Sequence, residues 1–360
     1  MGDCQMKKII KSIIKTIKEV SAQEDFKLRH RSKQTDFIRE RKLSFSSVIM
    51  FVLGLSNTSF DFERINFCNA ANIANISNAA LCKARDKVSF YAFRELLSLT
   101  QNLIPTTSKF KEYRVIAVDG IKGELPNTPE IMEKYKPSKT GLYPQFHAVA
   151  SFDVLNCKFI DAEFEMSTTN ERSAACKLLE NHQKENDIFL FDRGFPSVAL
   201  IQKLNDKELK FVARVSKSFL REVDKFTLQK SLDKTIHIDY TVRRAATSRA
   251  KNIRLPYSFD LRCVKIQLSS GETEMLITNL PKDTFKRKDI GYLYALRWGI
   301  ETGFNHLKNA INIEEFVGIK ENSIKQEFYS VLIKYNIVMQ YIGEAELVAH
   351  CSKKNFKIGV

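Results

Sequence analysis

Apolar residues recur three and four positions apart through the first third of the chain. This spacing appears in IIKSIIKTI at residues 9–17, SFSSVIMFVLGL at 44–55 and AFRELLSL at 92–99. Residues at these intervals share one face of a helix, so each segment predicts an amphipathic helix with one buried side. We therefore expect an all-helical N-terminal domain over residues 1–112.

A further helix is predicted to begin after Ser77, because serine is a favoured N-cap residue. Its exposed face would carry Lys83, Arg85 and Lys87. A short helix, a turn and a second helix with basic residues form a unit with which proteins bind DNA, which would make residues 1–112 a DNA-binding domain. An ordinary helical bundle with a solvated basic face explains the same residues equally well, so both interpretations stay open.

From residue 113 the pattern changes to short runs rich in Val, Ile and Phe, which are typical of strands. Two helical segments lie among these runs, NERSAACKLLENHQ at 170–183 and PSVALIQKLND at 196–206. Strands that alternate with helices predict an α/β core with a largely parallel portion, and we assign its first part to residues 113–216. The runs are RVIAVDG, PQFHAVASFDVL, KFIDAEFEM, DIFLFDRGF and LKFVARV.

Residues 217–285 are predicted to form a β-rich, basic insertion that ends in a hairpin turning at Ser270 and Gly271. Residues 286–345 return to a helical pattern and would complete the core, and residues 346–360 form a tail without a strong helical pattern. Arg243 and Arg244 begin a basic run that continues to Arg254, and we expect this run to contact the DNA backbone. A solvated loop is the alternative.

Composition and charge narrow the class of protein. The chain has 360 residues, 44% of them apolar, and a formal net charge of +15, which favours a polyanionic partner: nucleic acid or an anionic membrane surface. The longest apolar run, at residues 48–55, is far too short to span a bilayer, so we expect a soluble, intracellular protein. Seven cysteines without C-x2-C spacing favour reduced thiols over disulfides or a zinc site.

Two acidic residues follow apolar, strand-like runs. Asp119 ends VIAVD and Asp192 ends IFLFD, and a glycine follows each acid at once or after one residue. The carboxyl ends of strands are where α/β folds build their sites, and glycine allows close approach to a ligand. If the two strands are neighbours, both carboxylates can reach one divalent ion. Taken alone, each aspartate is explained as a turn or capping residue.

The segment YALRWGIETGFNHLKNA at residues 294–310 is predicted to be one helix. At about 100° per residue, its polar residues fall on one stripe about 60° wide that borders the apolar face. Such a stripe suits one acid of a metal site, flanked by groups that hold an anion. An ordinary Arg297–Glu301 pair on a solvated face is the alternative. The residues of the stripe are Tyr294, Arg297, Glu301 and Lys308.

Trp298 stands next to this stripe and has two interpretations. It stacks on a base of a nucleic acid, or it packs against the edge of the core, and packing is the favoured of the two.

Three acids together with basic residues suit phosphodiester chemistry, in which two Mg²⁺ ions held by carboxylates act on the attacking and leaving oxygens.

With these residues in place, the sequence resembles the DDE transposases of bacterial insertion sequences. The narrower resemblance is to the insertion-sequence-four family, whose Tyr-x2-Arg-x3-Glu-x6-Lys signature is matched without a change in spacing from Tyr294 to Lys308. VDGIKGELPNTPE is similar to the region around the family's first acid, and DRGFPS to the region around its second.

The resemblance implies a ribonuclease-H-like catalytic core with the β-rich insertion between the second and third acids. It implies that Asp119, Asp192 and Glu301 hold two Mg²⁺ ions, for which Mn²⁺ substitutes. It also implies that residues of the signature bind phosphates at the element's end, while Arg193 and Gly194 shape the turn after the second acid. Those signature residues are Tyr294, Arg297 and Lys308.

The implied activity is cut-and-paste transposition by a homodimer at the nucleoid in a bacterial cytoplasm. Such an enzyme binds the double-stranded inverted-repeat ends, cleaves the DNA and joins the 3′-hydroxyl ends to target DNA. A non-catalytic DNA-binding protein derived from a decayed transposase is the main alternative, and a host nuclease is a weaker one. Relatives often carry more helical sequence beyond the last predicted helix, so a shortened copy also stays open.

Overall fold

The computed structural model describes residues 2–56, 58–135, 143–166, 170–180, 182, 186–241, 253–268, 271–310 and 316–355. Within these ranges the strands form one mixed sheet of eight strands in the order β3-β2-β1-β4-β5-β8-β7-β6. The strands are β1 (Arg114–Glu124), β2 (Gln145–Asp153), β3 (Lys158–Met166), β4 (Asp187–Phe191), β5 (Lys210–Arg214), β6 (Asp233–Tyr240), β7 (Tyr257–Gln267) and β8 (Thr273–Thr278).

Helices cover both faces of this sheet. Six of them precede the first strand: α1 (Gly2–Ala22), α2 (Glu24–His30), α3 (Phe45–Gly54), α4 (Phe60–Ala70), α5 (Asn78–Arg85) and α6 (Tyr91–Leu103). The others are α7 (Pro129–Lys134), α8 (Glu171–Glu180), α9 (Val198–Asp206), α10 (Arg221–Thr227), α11 (Arg287–Ala295), α12 (Gly299–Ala310) and α13 (Glu321–Asn355).

The sheet confirms the predicted mixture of strands and helices but limits its parallel part. β1 pairs in parallel with β4, and β4 with β5, whereas the remaining described pairs are antiparallel. The predicted hairpin is present as β7 and β8, with Gly271 at a φ of 86°. Ser270 lies outside the described residues. The predicted insertion thus extends the same sheet, because β8 pairs with β5.

Two hydrophobic cores lie on opposite faces of the sheet. Alternate residues of β1 point to each: Val115 and Ala117 join the core formed with α1, α3, α6, α12 and α13. Ile116 and Val118 join the core formed with α8, α9 and α10. Because side chains alternate along a strand, the face to which each β1 residue points follows directly from its position.

The segments predicted to be helical near the N-terminus are helices α1, α3 and α6, and the Ser77 hydroxyl accepts from the backbone N–H of Ala80 to cap α5. The predicted exposure of Arg85 is wrong. Its side chain is buried against α13, where it donates to Glu327 over 2.7 Å. The short α5 places this arginine toward the core, since the apolar Leu81 one turn earlier is buried on the same face.

The predicted helix over residues 294–310 is interrupted. α11 ends at Ala295, a 3-10 turn occupies Leu296–Trp298, and α12 begins at Gly299.

The last helix, α13, is longer than expected and continues to Asn355. It therefore includes most of residues 346–360, for which the sequence predicted a tail without a strong helical pattern. That segment lacks apolar periodicity but consists largely of good helix formers. None of the described helices is both long and apolar enough to cross a bilayer.

Candidate active site

β1 and β4 bring the two predicted aspartates together. Their parallel pairing ends at Val118 of β1 and Phe191 of β4. The residue that follows each of them is an acid, Asp119 after Val118 and Asp192 after Phe191. The sequence predicts that Asp119 ends its strand, and this prediction is wrong. β1 continues to Glu124 because β2 pairs with it in antiparallel fashion, with Asp119 opposite Ala150.

A tight turn follows the second acid. The backbone N–H of Phe195 donates to the carbonyl oxygen of Asp192 over 3.1 Å, which closes a four-residue turn. Arg193 is exposed on this turn, and its backbone N–H donates to the Asp192 carboxylate. The position of Arg193 agrees with a turn-shaping role, while its predicted contact with DNA stays a prediction.

The helical residues close the site from one face of the sheet. The Tyr294 hydroxyl donates to Asp192 Oδ1 over 2.9 Å. Arg297 donates through Nη1 to Asp119 Oδ2 over 3.1 Å and through Nη2 to Glu301 Oε1 over 3.0 Å. The three acids, which lie far apart in sequence, are thus gathered around Arg297 and Tyr294.

Because the predicted helix is interrupted, the residues of the predicted stripe do not all lie along one side of a single helix. Arg297 and Glu301 keep their contact across the 3-10 turn, whereas Lys308 lies exposed in the last turn of α12. Trp298 is 60% exposed, so the favoured interpretation that it packs against the core edge is wrong. Its ring lies 4.9 Å from the Arg297 guanidinium, a cation–π contact that leaves the other ring surface toward solvent.

The two aspartates have opposite pKa shifts although they are neighbours. Burial raises the pKa of Asp119 to about 6, against the opposing effect of the Gly120 N–H and the Arg297 charge. Burial also acts to raise the pKa of Asp192, but the Arg193 N–H, the Tyr294 hydroxyl and the nearby arginine charges outweigh it, and the pKa is lowered. Asp192 therefore holds a negative charge more readily than Asp119.

Arg214 and Glu274 belong to the site but were missed by the sequence analysis. Arg214 ends β5, with Nη2 at 3.1 Å from Asp192 Oδ1, and its Nη1 donates to Glu274 Oε1 over 2.9 Å. A signal for Arg214 existed, because this polar residue ends a strand-like run in the same way as the aspartates do. Glu274 lies on β8 and had no comparable signal.

The donor set fits the implied metal. Two carboxylates, of Asp119 and Glu301, contact the Arg297 cation, and that of Asp192 accepts from the nearby Tyr294 hydroxyl. Carboxylates supply the hard oxygen atoms that Mg²⁺ prefers. In the described part of the chain, no three acidic, His or Cys side chains stand ready to hold a metal ion together. Arg297 contacts Asp119 Oδ2 and Glu301 Oε1, so an ion held by these two oxygens would replace the arginine there.

Lys83 and Lys87, two further predicted DNA contacts, make none of these contacts with the acids. Lys83 is exposed on α5, and the Lys87 Nζ is 3.7 Å from Asp36 Oδ1. Arg243 and Arg244 fall outside the described residues. The structure therefore unites the acids, Tyr294 and Arg297, whereas Lys83 and Lys87 lie on and just after α5 in the N-terminal part of the chain.

The sequence pattern of a known family covers the part of the chain that builds this site. The family described as "Transposase DDE domain" matches residues 110–337, which include all three acids. The chain belongs to the DDE transposases. The transposase InsG for insertion sequence element IS4 of Escherichia coli (strain K12) is 23% identical over 325 residues, which cover 86% of this chain and 72% of InsG.

A second relative of this transposase is the putative transposase y4zB of Sinorhizobium fredii (strain NBRC 101917 / NGR234). It is 26% identical over 176 residues, which cover 45% of this chain and 48% of that protein. Among solved structures, the chain is similar to a piggyBac transposase in a synaptic complex with hairpin DNA, with a TM-score of 0.48 and 11% identity over 93% of this chain and 76% of that one. The predicted kinship with transposases of the IS4 kind is confirmed.

Proposed function

We propose that this transposase binds the ends of its insertion sequence, cleaves DNA by metal-dependent phosphodiester hydrolysis and joins the 3′-hydroxyl ends to target DNA. The observation that carries this proposal is the convergence of Asp119 and Glu301 on Arg297, next to the Asp192–Tyr294 hydrogen bond. Three sequence-distant segments supply these groups, and their meeting at the edge of the parallel strands is typical of a catalytic site.

The core of this enzyme is proposed to be ribonuclease-H-like. Three antiparallel strands, β3, β2 and β1, are followed by the parallel strands β4 and β5, and acids lie at the junction of β1 with β4. The strands from the segment between the second and third acids extend the sheet on the β5 side. This order supports the proposed core independently of any similarity in sequence.

Asp119, Asp192 and Glu301 would hold Mg²⁺ or Mn²⁺. When bound, these ions polarise the scissile phosphate and lower the pKa of the attacking water. Tyr294 orients Asp192 through its hydroxyl, and Arg214 steadies the same carboxylate. Arg297 has a buried Nε atom without a hydrogen-bond partner among the described residues, so its guanidinium keeps one unused donor, which would reach a phosphate oxygen once the side chain moves out of its buried position.

Double-stranded DNA is the proposed partner, and a homodimer acting on paired ends at the nucleoid of a bacterial cell is the proposed assembly. The net charge of +15 attracts the phosphate backbone before any specific contact forms. Lys308, Trp298 and Lys83 are exposed and are proposed to contact that DNA. Lys87 and Arg193 complete the proposed set.

The test uses a plasmid that carries the gene with its flanking DNA and measures cleavage with Mg²⁺. We expect Asp192→Asn to lower cleavage at least about a hundredfold while DNA retention in a gel shift persists, because the lost charge serves the metal. Asp206→Asn is the matched control, since Asp206 pairs with Arg254 outside the site. Equal cleavage by Asp192→Asn and the parent would show that this assignment is wrong, and a parent that binds but never cuts would favour the non-catalytic alternative.

A further inference from the structure

The opposite face of the sheet contributes an acid beside the proposed metal site. Glu171 is the first residue of α8, and its carboxylate lies against two glycines. A Cβ built at Gly120 would lie 2.9 Å from Glu171 Oε1, and a Cβ built at Gly194 would lie 3.6 Å from Glu171 Oε2. These glycines follow Asp119 directly and Asp192 after one residue, so the Glu171 carboxylate lies near the backbone that follows both acids.

Because Gly120 and Gly194 have no side chain, the Glu171 carboxylate can approach the backbone beside the two acids. Because side chains alternate along β1, Asp119 points toward α12 and position 120 points toward α8. Any other residue at Gly120 would fill the space that the Glu171 carboxylate occupies. With glycine there, Glu171 Oε1 lies within about 4.5 Å of the Gly120 Cα atom, and backbone alone separates it from Asp119.

His147 lies against this carboxylate. It lies on β2 two residues from Val149, on the α8 face, and its side chain is 6% exposed. Its Nε2 atom is 2.9 Å from Glu171 Oε1 and would be 3.0 Å from a Cβ at Gly120. A buried imidazole thus packs into the same glycine cradle and restrains a glutamate that is otherwise about one third exposed.

We propose that Glu171 is a fourth carboxylate of the metal-binding site, with His147 as its positioning residue; this rests on the proposed function of the three acids. Glu171 would approach a bound ion from the α8 side, and Glu301 from the α12 side. Gly120 on β1 and Gly194 in the turn after β4 leave the space that this carboxylate occupies beside both acids. The two glycines next to the two acids, with the Glu171 carboxylate beside both, are the observation that carries the proposal.

The experiment measures the affinity of the purified full-length protein for Mn²⁺ without DNA, by the electron paramagnetic resonance of the free ion. We expect Glu171→Gln to weaken binding about tenfold. Glu171→Asp keeps the charge at the start of α8 but withdraws the carboxylate, and we expect a similar loss. Glu180→Gln, at the other end of the same helix and paired with Lys203, is the matched control and should bind as the parent does.

A second variant and the melting temperatures separate ligation from folding. Gly120→Ala would displace the flexible end of Glu171 and crowd the buried His147 ring, so it should weaken Mn²⁺ binding as Glu171→Gln does and also lower the melting temperature. Glu171→Gln adds no atom to this space and should keep the melting temperature near that of the parent. Asp192→Asn is measured alongside. If Asp192→Asn loses Mn²⁺ while both Glu171 variants bind like the parent, the fourth ligand is refuted and the proposed function stands. A parent that binds no Mn²⁺ overturns the proposal as well, whereas unimpaired DNA cleavage by Asp192→Asn refutes the proposed function itself.

Discussion

Arg297 is 3% exposed, and its guanidinium bridges two of the three acids. A buried cation beside carboxylates is favourable only while both charges are matched, and removing one partner leaves the others uncompensated. The signature therefore has a structural role in addition to its proposed contact with DNA. The positive charge of Arg297 compensates the carboxylate charges when no other cation is bound.

We predict that Arg297→Gln lowers the free energy of unfolding by about 2 kcal/mol in the presence of a chelator. Mg²⁺ should then raise the melting temperature of this variant more than that of the parent, because the ion meets no competing guanidinium. Thermal denaturation with and without Mg²⁺ measures both effects. Arg254→Gln, which removes an exposed ion pair, is the control and should change stability by less than about 0.5 kcal/mol. An Arg297→Gln variant as stable as the parent in chelator contradicts the balancing role.

At the level of elements, the close approach of α12 to the sheet determines where Glu301 stands. Gly303 allows this approach, because a Cβ there would lie 3.2 Å from two atoms of the Phe152 ring. That ring is itself held by Phe159 and Tyr335, with centroids 4.8 and 6.1 Å away. The neighbours therefore have little room to move, and the helix must shift if position 303 grows.

We expect Gly303→Ala to destabilise the protein by about 1–2 kcal/mol and to reduce cleavage, since overpacking displaces α12 and with it Glu301. Gly54→Ala is the matched control: a Cβ at the end of α3 meets no atom within 4 Å, and alanine favours a helix by up to about 1 kcal/mol. Chemical denaturation and plasmid cleavage test the pair. Equal stability changes of the same sign in both variants would argue against tight packing at Gly303.

At the scale of the whole molecule, α13 connects the N-terminal helices with the sheet. Residues of α1, α3, α6, β1–β3 and α13 share one hydrophobic core. Within it, Arg85 of α5 forms a buried ion pair with Glu327 of α13 and also donates to the carbonyl oxygen of Ser323. The predicted division into domains remains a prediction, but these contacts join its first and fourth segments physically.

We predict that Arg85→Met costs about 3 kcal/mol, because Glu327 stays buried without its partner. The double variant Arg85→Met/Glu327→Gln should recover at least half of that loss, since the uncompensated charge is gone. Urea denaturation gives both values. A double variant that is less stable than Arg85→Met alone would show that the pair is not the cause.

Spacing along the chain was enough to identify the family and to predict most helices and strands, because patterns of apolar residues and the interval from Tyr294 to Lys308 are local in the sequence. It also singled out the three acids that the structure brings near Arg297 and Tyr294, whose metal binding stays a proposal. Proximity in space was needed for the rest. The register of β1 with β4 set Asp119 beside Asp192, and the break before Gly299 exposed Trp298. Burial turned Arg85 inward, and packing brought Arg214 and Glu274 from distant segments to Asp192. Packing likewise brought His147 and Glu171 to the glycine that follows Asp119. Such long-range contacts depend on how the elements pack, which local sequence patterns do not encode.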